Sequence, residues 1–267
     1  MGCDLVWVEG PEAEHFLQGV LSNDVAGLAV RGSLEGLLLD VKGHIRHGVH
    51  VHRDASDAFT LVTARDAGER LVEDLERRHV SEEIEIFGDT GDLVVTNASG
   101  DPGADLEIAV RPGALRGLVG RPADVVAAAL AVPLVPLETL HALRVEAGAP
   151  DPNIDGTGWL VQEAGLERIA VSFTKGCYLG QETVARVAHR GKVNRLLAGL
   201  RLAAPVPTAA TVSFGGRDVG RLGAVAEHPG LGPIALAVLR HEVGPGADVD
   251  VAGVAGRVVA LPFATAT

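Results

Sequence analysis

The sequence predicts an α+β chain, with a mixed module over residues 1–197 and a small antiparallel β-barrel over residues 198–267. Three observations predict it. Strand-like and helix-like segments mix in the first module without the strict alternation that a doubly wound parallel sheet requires. From Gly199 onward, short runs of Val, Ala and Leu alternate with glycine- and proline-rich turns (Pro205-Val206-Pro207, Gly215-Gly216, Pro229-Gly230, Gly244-Pro245-Gly246), and no helix of useful length fits. The charge divides at the same place: the formal net charge of −12 belongs wholly to the first 198 residues, because the five acids and five bases beyond them cancel.

In chain order, Leu5–Val8 reads as a short strand. Pro11 at a first helical position, with Glu12 and Glu14 behind it, opens a helix through Phe16 and Leu17. Gly19 and the cluster Ser22-Asn23-Asp24 close it. Leu34–Leu39 and Ile45–Arg53 form a hairpin about the turn Asp40-Val41-Lys42-Gly43. Strand alternation puts His44, His50 and His52 on one face of the return strand and His47 on the other. Those three same-face residues span too far for one ion, so a half-exposed strand face is expected and no metal site. Ala58–Thr63 is a third strand, and Ala64–His79 an amphipathic helix with Leu71, Val72 and Leu75 inward. Glu83–Phe87, Leu93–Thr96 and Leu106–Val110 read as strands, Asp101-Pro102-Gly103 as a turn, and Ala114–Leu118 and Asp124–Leu130 as helices. Leu137–Glu146 is a further helix, followed by a polar loop from Asp151 to Trp159.

An apolar content of 47% with 22% charged residues describes a soluble globular chain. The most apolar region, Ala123–Leu137, is broken by Asp124, Pro133 and Pro136 and cannot span a bilayer. The start Met1-Gly2-Cys3 carries Val6 where a lipidation signal needs Ser or Thr, and no apolar leader precedes it. The two cysteines, far apart, imply a reducing compartment, the cytoplasm by default. Neither dinucleotide nor nucleoside-triphosphate signatures occur. Direct RNA binding is not expected from an acidic chain with 3% aromatics.

The richest stretch is Phe173–Arg195, which holds the only tyrosine, Tyr178, and one cysteine, Cys177. Of 23 basic residues only Lys42, Lys175 and Lys192 are lysines, so a lysine two residues before a cysteine needs explaining. Gln181–His189 reads as a helix with Val184, Val187 and Ala188 on one face, and with Glu182 and Arg186 one turn apart as a supporting pair. Lys175, Arg186, Arg190, Lys192 and Arg195 make a basic stretch inside an acidic protein, which suits an anionic ligand. A thiol beside an ammonium and near a helix N-terminus has surroundings that favour thiolate. A small core hydrophobe is the alternative reading of Cys177.

These residues carry a resemblance. Lys175-Gly176-Cys177-Tyr178-Leu179-Gly180-Gln181-Glu182 resembles the K-G-C-[FY]-x-G-Q-E signature of the YgfZ-type proteins, which are folate-binding relatives of the glycine-cleavage aminomethyltransferase associated with upkeep of iron–sulfur proteins and with tRNA modification. The run G-x-x-A-x-x-F-L-Q-G ending in Asn23-Asp24, the hairpin turn at Lys42-Gly43, and Leu143-Arg144-Val145-Glu146-Ala147-Gly148 are similar to further segments of that family. The resemblance implies an aminomethyltransferase-like folate-binding module of two intertwined subdomains, then the barrel, with tetrahydrofolate or a one-carbon derivative as cofactor. It implies a working pair of Cys177 and Lys175, and a folate site drawn from Asp24, Lys42, Arg144, Glu146, Tyr178, Gln181, Glu182, Arg186 and Arg190. Iron–sulfur enzymes or their assembly proteins are the implied partners. A true aminomethyltransferase is the alternative. However, where the transferase hairpin resembles this one it carries a pair of acids, and here Arg46 and His47 stand in those places.

Overall fold

The computed structural model describes residues 2–96, 104, 106–110, 115–120, 123–156, 158–191 and 193–264. The chain divides into two compact units, Met1–Leu134 with Glu167–Ala185, and Val135–Leu166 with Arg186–Thr267.

The first unit is built on a seven-stranded sheet. It contains β1 (Gly2–Glu9), β2 (Ser33–Leu39), β3 (Ile45–Arg53), β4 (Ala58–Ala64), β5 (Glu85–Thr96), β6 (Leu106–Val110) and β7 (Leu115–Val119), in the order β2-β3-β4-β1-β5-β7-β6. Alternation along β1 separates two cores. Val6 and Val8 pack with Phe16 and Leu17 of α1 (Ala13–Val20), with Leu71 and Leu75 of α2 (Gly68–Glu76), and with Val49, Val51, Phe59 and Leu61. On the other face, Cys3 and Leu5 join Val62, Leu93, Ile108 and Val119. No side chain of its own caps α2; the Asp4 carboxylate of β1 accepts from the Gly68 N–H at 2.9 Å instead, placing an anion at the positive end of the helix.

The second unit is organised by a closed barrel of order β10-β11-β8-β13-β12-β9. Its strands are β8 (Arg195–Leu202), β9 (Thr211–Phe214), β10 (Arg217–His228), β11 (Gly232–Arg240), β12 (Asp248–Val251) and β13 (Val254–Val259). Leu200, Val212, Leu222, Ala235, Ala237 and Val258 fill it. The helix α4 (Leu137–Glu146) lies against the barrel wall, burying Ala142 and Val145 on Ala224, Ala226, Ile234, Leu236 and Phe263. The expected boundary between residues 197 and 198 falls inside β8. The remaining helices are α3 (Ala123–Leu130) and α5 (Gln181–Arg190).

Three local expectations are corrected, and a fourth holds in part. Ala114–Leu118 is not helical: residues 115–119 are β7, paired on both edges with β5 and β6, and this long-range pairing overrides weak helical propensity. Glu83–Phe87 and Leu93–Thr96 are parts of one strand, because β1 keeps pairing through Gly88 and Gly91, which look like breakers locally. The helix expected over Ala64–His79 is only Gly68–Glu76, since Ala64 still pairs with Cys3 and Asp66 is left-handed at φ 67°. The face expected to be half-exposed is so at His44 and His50, both half-buried, and at Arg46, which is exposed, but His52 on the same face is only 3% exposed; His47, on the opposite face, is 4% exposed. The turn at residues 101–103 lies outside the described residues.

His47 owes its place to Asp74 of α2, a carboxylate buried to 5% side-chain exposure. Its Oδ2 accepts from His47 Nε2 at 2.9 Å and from an Arg46 terminal nitrogen at 3.1 Å, and its Oδ1 accepts from Arg77 at 2.7 Å. Burial opposes the Asp74 charge, yet the His47 and Arg46 hydrogen bonds outweigh it and hold the carboxyl below its ordinary value. Burial holds His47 below its ordinary value, against the pull of Asp74. Asp74→Ala is expected to cost about 3–5 kcal/mol in urea unfolding, because it strands these cations and the buried imidazole. Both groups bind protons more weakly folded than unfolded. Their stabilisation is therefore complete above the ordinary histidine value of 6.5 and is lost as pH falls, first through His47 and then, below 3.8, through Asp74. Urea midpoints measured from pH 8 to pH 3 should fall in that order, and more steeply for the parent than for His47→Gln between pH 7 and 5.

Candidate functional site

The C-terminal end of α1 leaves backbone carbonyls without helical partners. Lys175 supplies the donors. Its Nζ donates to the carbonyl oxygens of Gln18, Leu21 and Asn23 at 2.6, 2.7 and 2.9 Å, a cation at the negative end of a helix. The same corner is stitched by side chains. Ser22 Oγ donates to Ala170 O at 2.5 Å and accepts from Leu37 N at 3.0 Å, while Asn23 Nδ2 donates to Glu35 O and Ile169 O at 2.8 and 3.0 Å. Gln18 Nε2 donates to Asp24 Oδ1 at 2.9 Å, and Gln18 Oε1 accepts from Val25 N at 2.8 Å. Two segments some 150 residues apart in sequence, the F-L-Q-G…N-D run and the K-G-C signature, are thereby joined in one place.

Burial pushes the Lys175 ammonium pKa down to about 8, with the Asp24 carboxylate acting the other way. All three N–H donors of Lys175 are engaged with carbonyls, so none is left for Cys177. The Tyr178 ring lies 5.2 Å from the same ammonium. Tyr178 is only 7% exposed, its hydroxyl has no hydrogen-bond partner among the described residues, and burial raises its pKa to about 12.

A third motif closes on the signature from the hairpin between β2 and β3. Asp40 Oδ1 shapes that turn by accepting from the Lys42 and His44 N–H groups at 2.8 and 2.9 Å. Gly43 has φ 80° and Gly180 has φ 81°. A Cβ on Gly180 would stand 2.6 Å from Asp40 O, and one on Gly43 would stand 3.1 Å from Thr183 Cβ, so only glycine lets turn and signature meet this closely. Cys177 therefore sits on a short arc fixed at one end by Lys175 and at the other by Gly180. Its thiol is exposed, which removes the core-hydrophobe reading, whereas Cys3 is buried and its thiol is pushed up to about 11 by burial.

The other candidate residues separate into two groups. Within the first unit, Lys42 and Glu182 are exposed and Asp24 and Gln181 half-buried, all on segments of this corner. Arg144 and Glu146 belong to the second unit and are held by its own contacts. Arg144 pairs with Asp155, donates to Ala149 O at 3.0 Å and reaches His141 Nδ1 at 3.2 Å. Glu146 Oε2 meets His228 Nε2 at 3.3 Å. Arg186 is exposed on α5; the Arg190 side chain and Lys192 lie outside what the structure describes. Sequence reading missed Gln18, Asp155 and His141. Gln18 carried a usable signal, a polar residue in the last turn of an amphipathic helix just before a turn cluster. Asp155 and His141 carried none, since their partners are set by packing. Among the described residues, no three His, Cys, Asp or Glu side chains gather as a metal site would need.

Lys175→Met keeps the aliphatic stem and leaves three carbonyls without their donor. The expected loss is about 3 kcal/mol in urea unfolding. Lys175→Arg should recover less than half of it, because a planar fork cannot serve three carbonyls converging on one point.

No family model matches the chain. The tRNA-modifying protein YgfZ of Edwardsiella ictaluri is 29% identical over 225 residues, covering 73% of this chain and 67% of that protein. The mitochondrial iron–sulfur cluster assembly factor IBA57 of Mus musculus is 33% identical over 116 residues, covering 40% of this chain and 31% of that protein. The crystal structure of glycine cleavage system aminomethyltransferase T from Bartonella henselae superimposes with a TM-score of 0.78 at 20% identity, over 98% of this chain and 84% of that one. The chain is thus similar to YgfZ proteins over about 73% of its length and has the fold of the aminomethyltransferase.

Proposed function

We propose that this protein binds a reduced folate in the cytoplasm and supports the assembly or repair of iron–sulfur proteins, reaching tRNA modification through an iron–sulfur enzyme. The observation that carries the reading is the exposed Cys177 thiol on an arc pinned at both ends, with the buried Tyr178 hydroxyl next in the chain, which has no partner among the described residues. A buried hydroxyl without a partner is costly unless something polar completes it, and the heteroatoms of a pterin ring are suitable partners. Lys42, an exposed cation of the same unit, suits a carboxylate of a folate tail. The names of the relatives, a tRNA-modifying protein and an iron–sulfur cluster assembly factor, support the cellular role. Among the described residues no helix is long and apolar enough to cross a membrane.

The aminomethyltransferase alternative has the fold behind it but not the charge. Arg46 and His47, where the transferase hairpin carries acids, are both turned onto Asp74. A cation and a neutral imidazole there do not stabilise the positive charge that develops during one-carbon transfer.

The test is complementation in a cell lacking its own YgfZ-type protein, read as the activity of an iron–sulfur enzyme and as tRNA thiomethylation, beside calorimetric titration with tetrahydrofolate. The parent chain should restore both readouts, Cys177→Ala neither, at equal protein levels. Lys42→Gln should bind tetrahydrofolate at least fivefold more weakly. Full rescue by Cys177→Ala would remove the thiol from the function, and unchanged affinity in Lys42→Gln would remove that cation from the folate site.

A further inference from the structure

The second unit contains a cleft of about 280 Å³ between α4, the loop before Trp159, and β10 with the Thr208–Ala209 turn. The barrel is built around it in a particular way. Pairing of β10 on β11 shifts register between Leu222 and Val225. Leu222 faces the barrel core, yet Ala224, two residues on, packs with α4 on the outside, which only an irregularity in the strand permits. At the break stands Gly223, where a Cβ would meet Trp159 Cη2 at 2.8 Å and Asp155 Cβ at 2.9 Å. The strand is thus opened so that an indole ring can lie against bare backbone, a use of glycine typical of places where something approaches closely.

The groups around the cleft are unlike an ordinary surface. Trp159, one of two tryptophans in a chain with 3% aromatics, lines it and stays half-exposed. Ile154, also lining it, is 64% exposed. Ala209 at the mouth is left-handed at φ 59°, in the turn that precedes β9. His141 has no free nitrogen: Nδ1 takes the Arg144 guanidinium at 3.2 Å and Nε2 donates to Val225 O at 2.9 Å, so it forms a rigid wall. Asp155 is neutralised by Arg144. The remaining charge at the cleft is the exposed Arg221, whose hydrogen bond among the described residues is a long one, 3.5 Å to Ala209 O.

We propose that this cleft is a binding site for a planar aromatic acid, its ring laid between Trp159 and Ile154 and its carboxylate taken by Arg221. The volume is at the small end for ligand sites, enough for one ring or two fused rings. The site is carried by the second unit alone and does not rest on the folate reading.

The probe is 2-naphthoate, with 2-naphthamide as its uncharged counterpart, titrated by calorimetry and followed through the indole N–H resonances of the two tryptophans. Trp7→Phe assigns the Trp159 signal. Saturable binding of 2-naphthoate that moves the Trp159 resonance and leaves Trp7 in place is expected. Affinity should fall at least fivefold for the amide, and at least fivefold for the acid with Arg221→Gln, a surface change that leaves the fold intact. Absence of saturable binding, or equal affinity for acid and amide, would overturn the proposal. Since a folate is itself an aryl acid, the titration is repeated with saturating tetrahydrofolate: unchanged naphthoate affinity supports a separate site, and competition overturns it.

Discussion

The three hydrogen bonds from Lys175 to the carbonyls of Gln18, Leu21 and Asn23 hold the first unit's functional corner together. A helix end that must turn sharply leaves carbonyls that water would otherwise satisfy, and this one is turned inward against a returning segment. One ammonium, three-fold and compact, satisfies all three at once. An arginine could not, which gives a physical reason for a lysine in a chain that writes 20 of its 23 bases as arginine. The cost of burying the charge is visible in its lowered pKa, and the carbonyls and Asp24 offset it.

Once Lys175 is fixed, the rest of the signature has little freedom. Gly180 closes on Asp40 O and Gly43 at distances that no side chain tolerates, so the arc between Lys175 and Gly180 is held from both ends. The arc puts Tyr178 inside and Cys177 outside. Neighbouring residues with opposite exposure are what a short, tightly held arc produces. The reactive partner suggested by the lysine–cysteine spacing is therefore replaced by a division of labour, with the lysine holding the backbone and the thiol presented to solvent.

The hairpin is tied to the helix layer in the same manner. Arg46 and His47 face Asp74 of α2, and that buried carboxylate makes them part of the packing between sheet and helix. The similarity in backbone, at 20% identity, speaks for architecture alone.

The sequence by itself determined the α+β class, the C-terminal barrel and the three motif segments, because alternation, helical periodicity and glycine turns are local properties that hydrophobic patterning and backbone sterics impose. It also marked Lys175 as exceptional. Only the tertiary structure decided what Lys175 binds, that Cys177 is exposed, that His47 and His52 are buried, and that residues 115–119 are strand. Each of these depends on what lies across from a residue rather than beside it. A carbonyl 150 positions away, a carboxylate on a later helix, or a pairing edge offered by β5 and β6 leaves no trace in local spacing, and the free energy of those contacts overrides the small preferences that local spacing records.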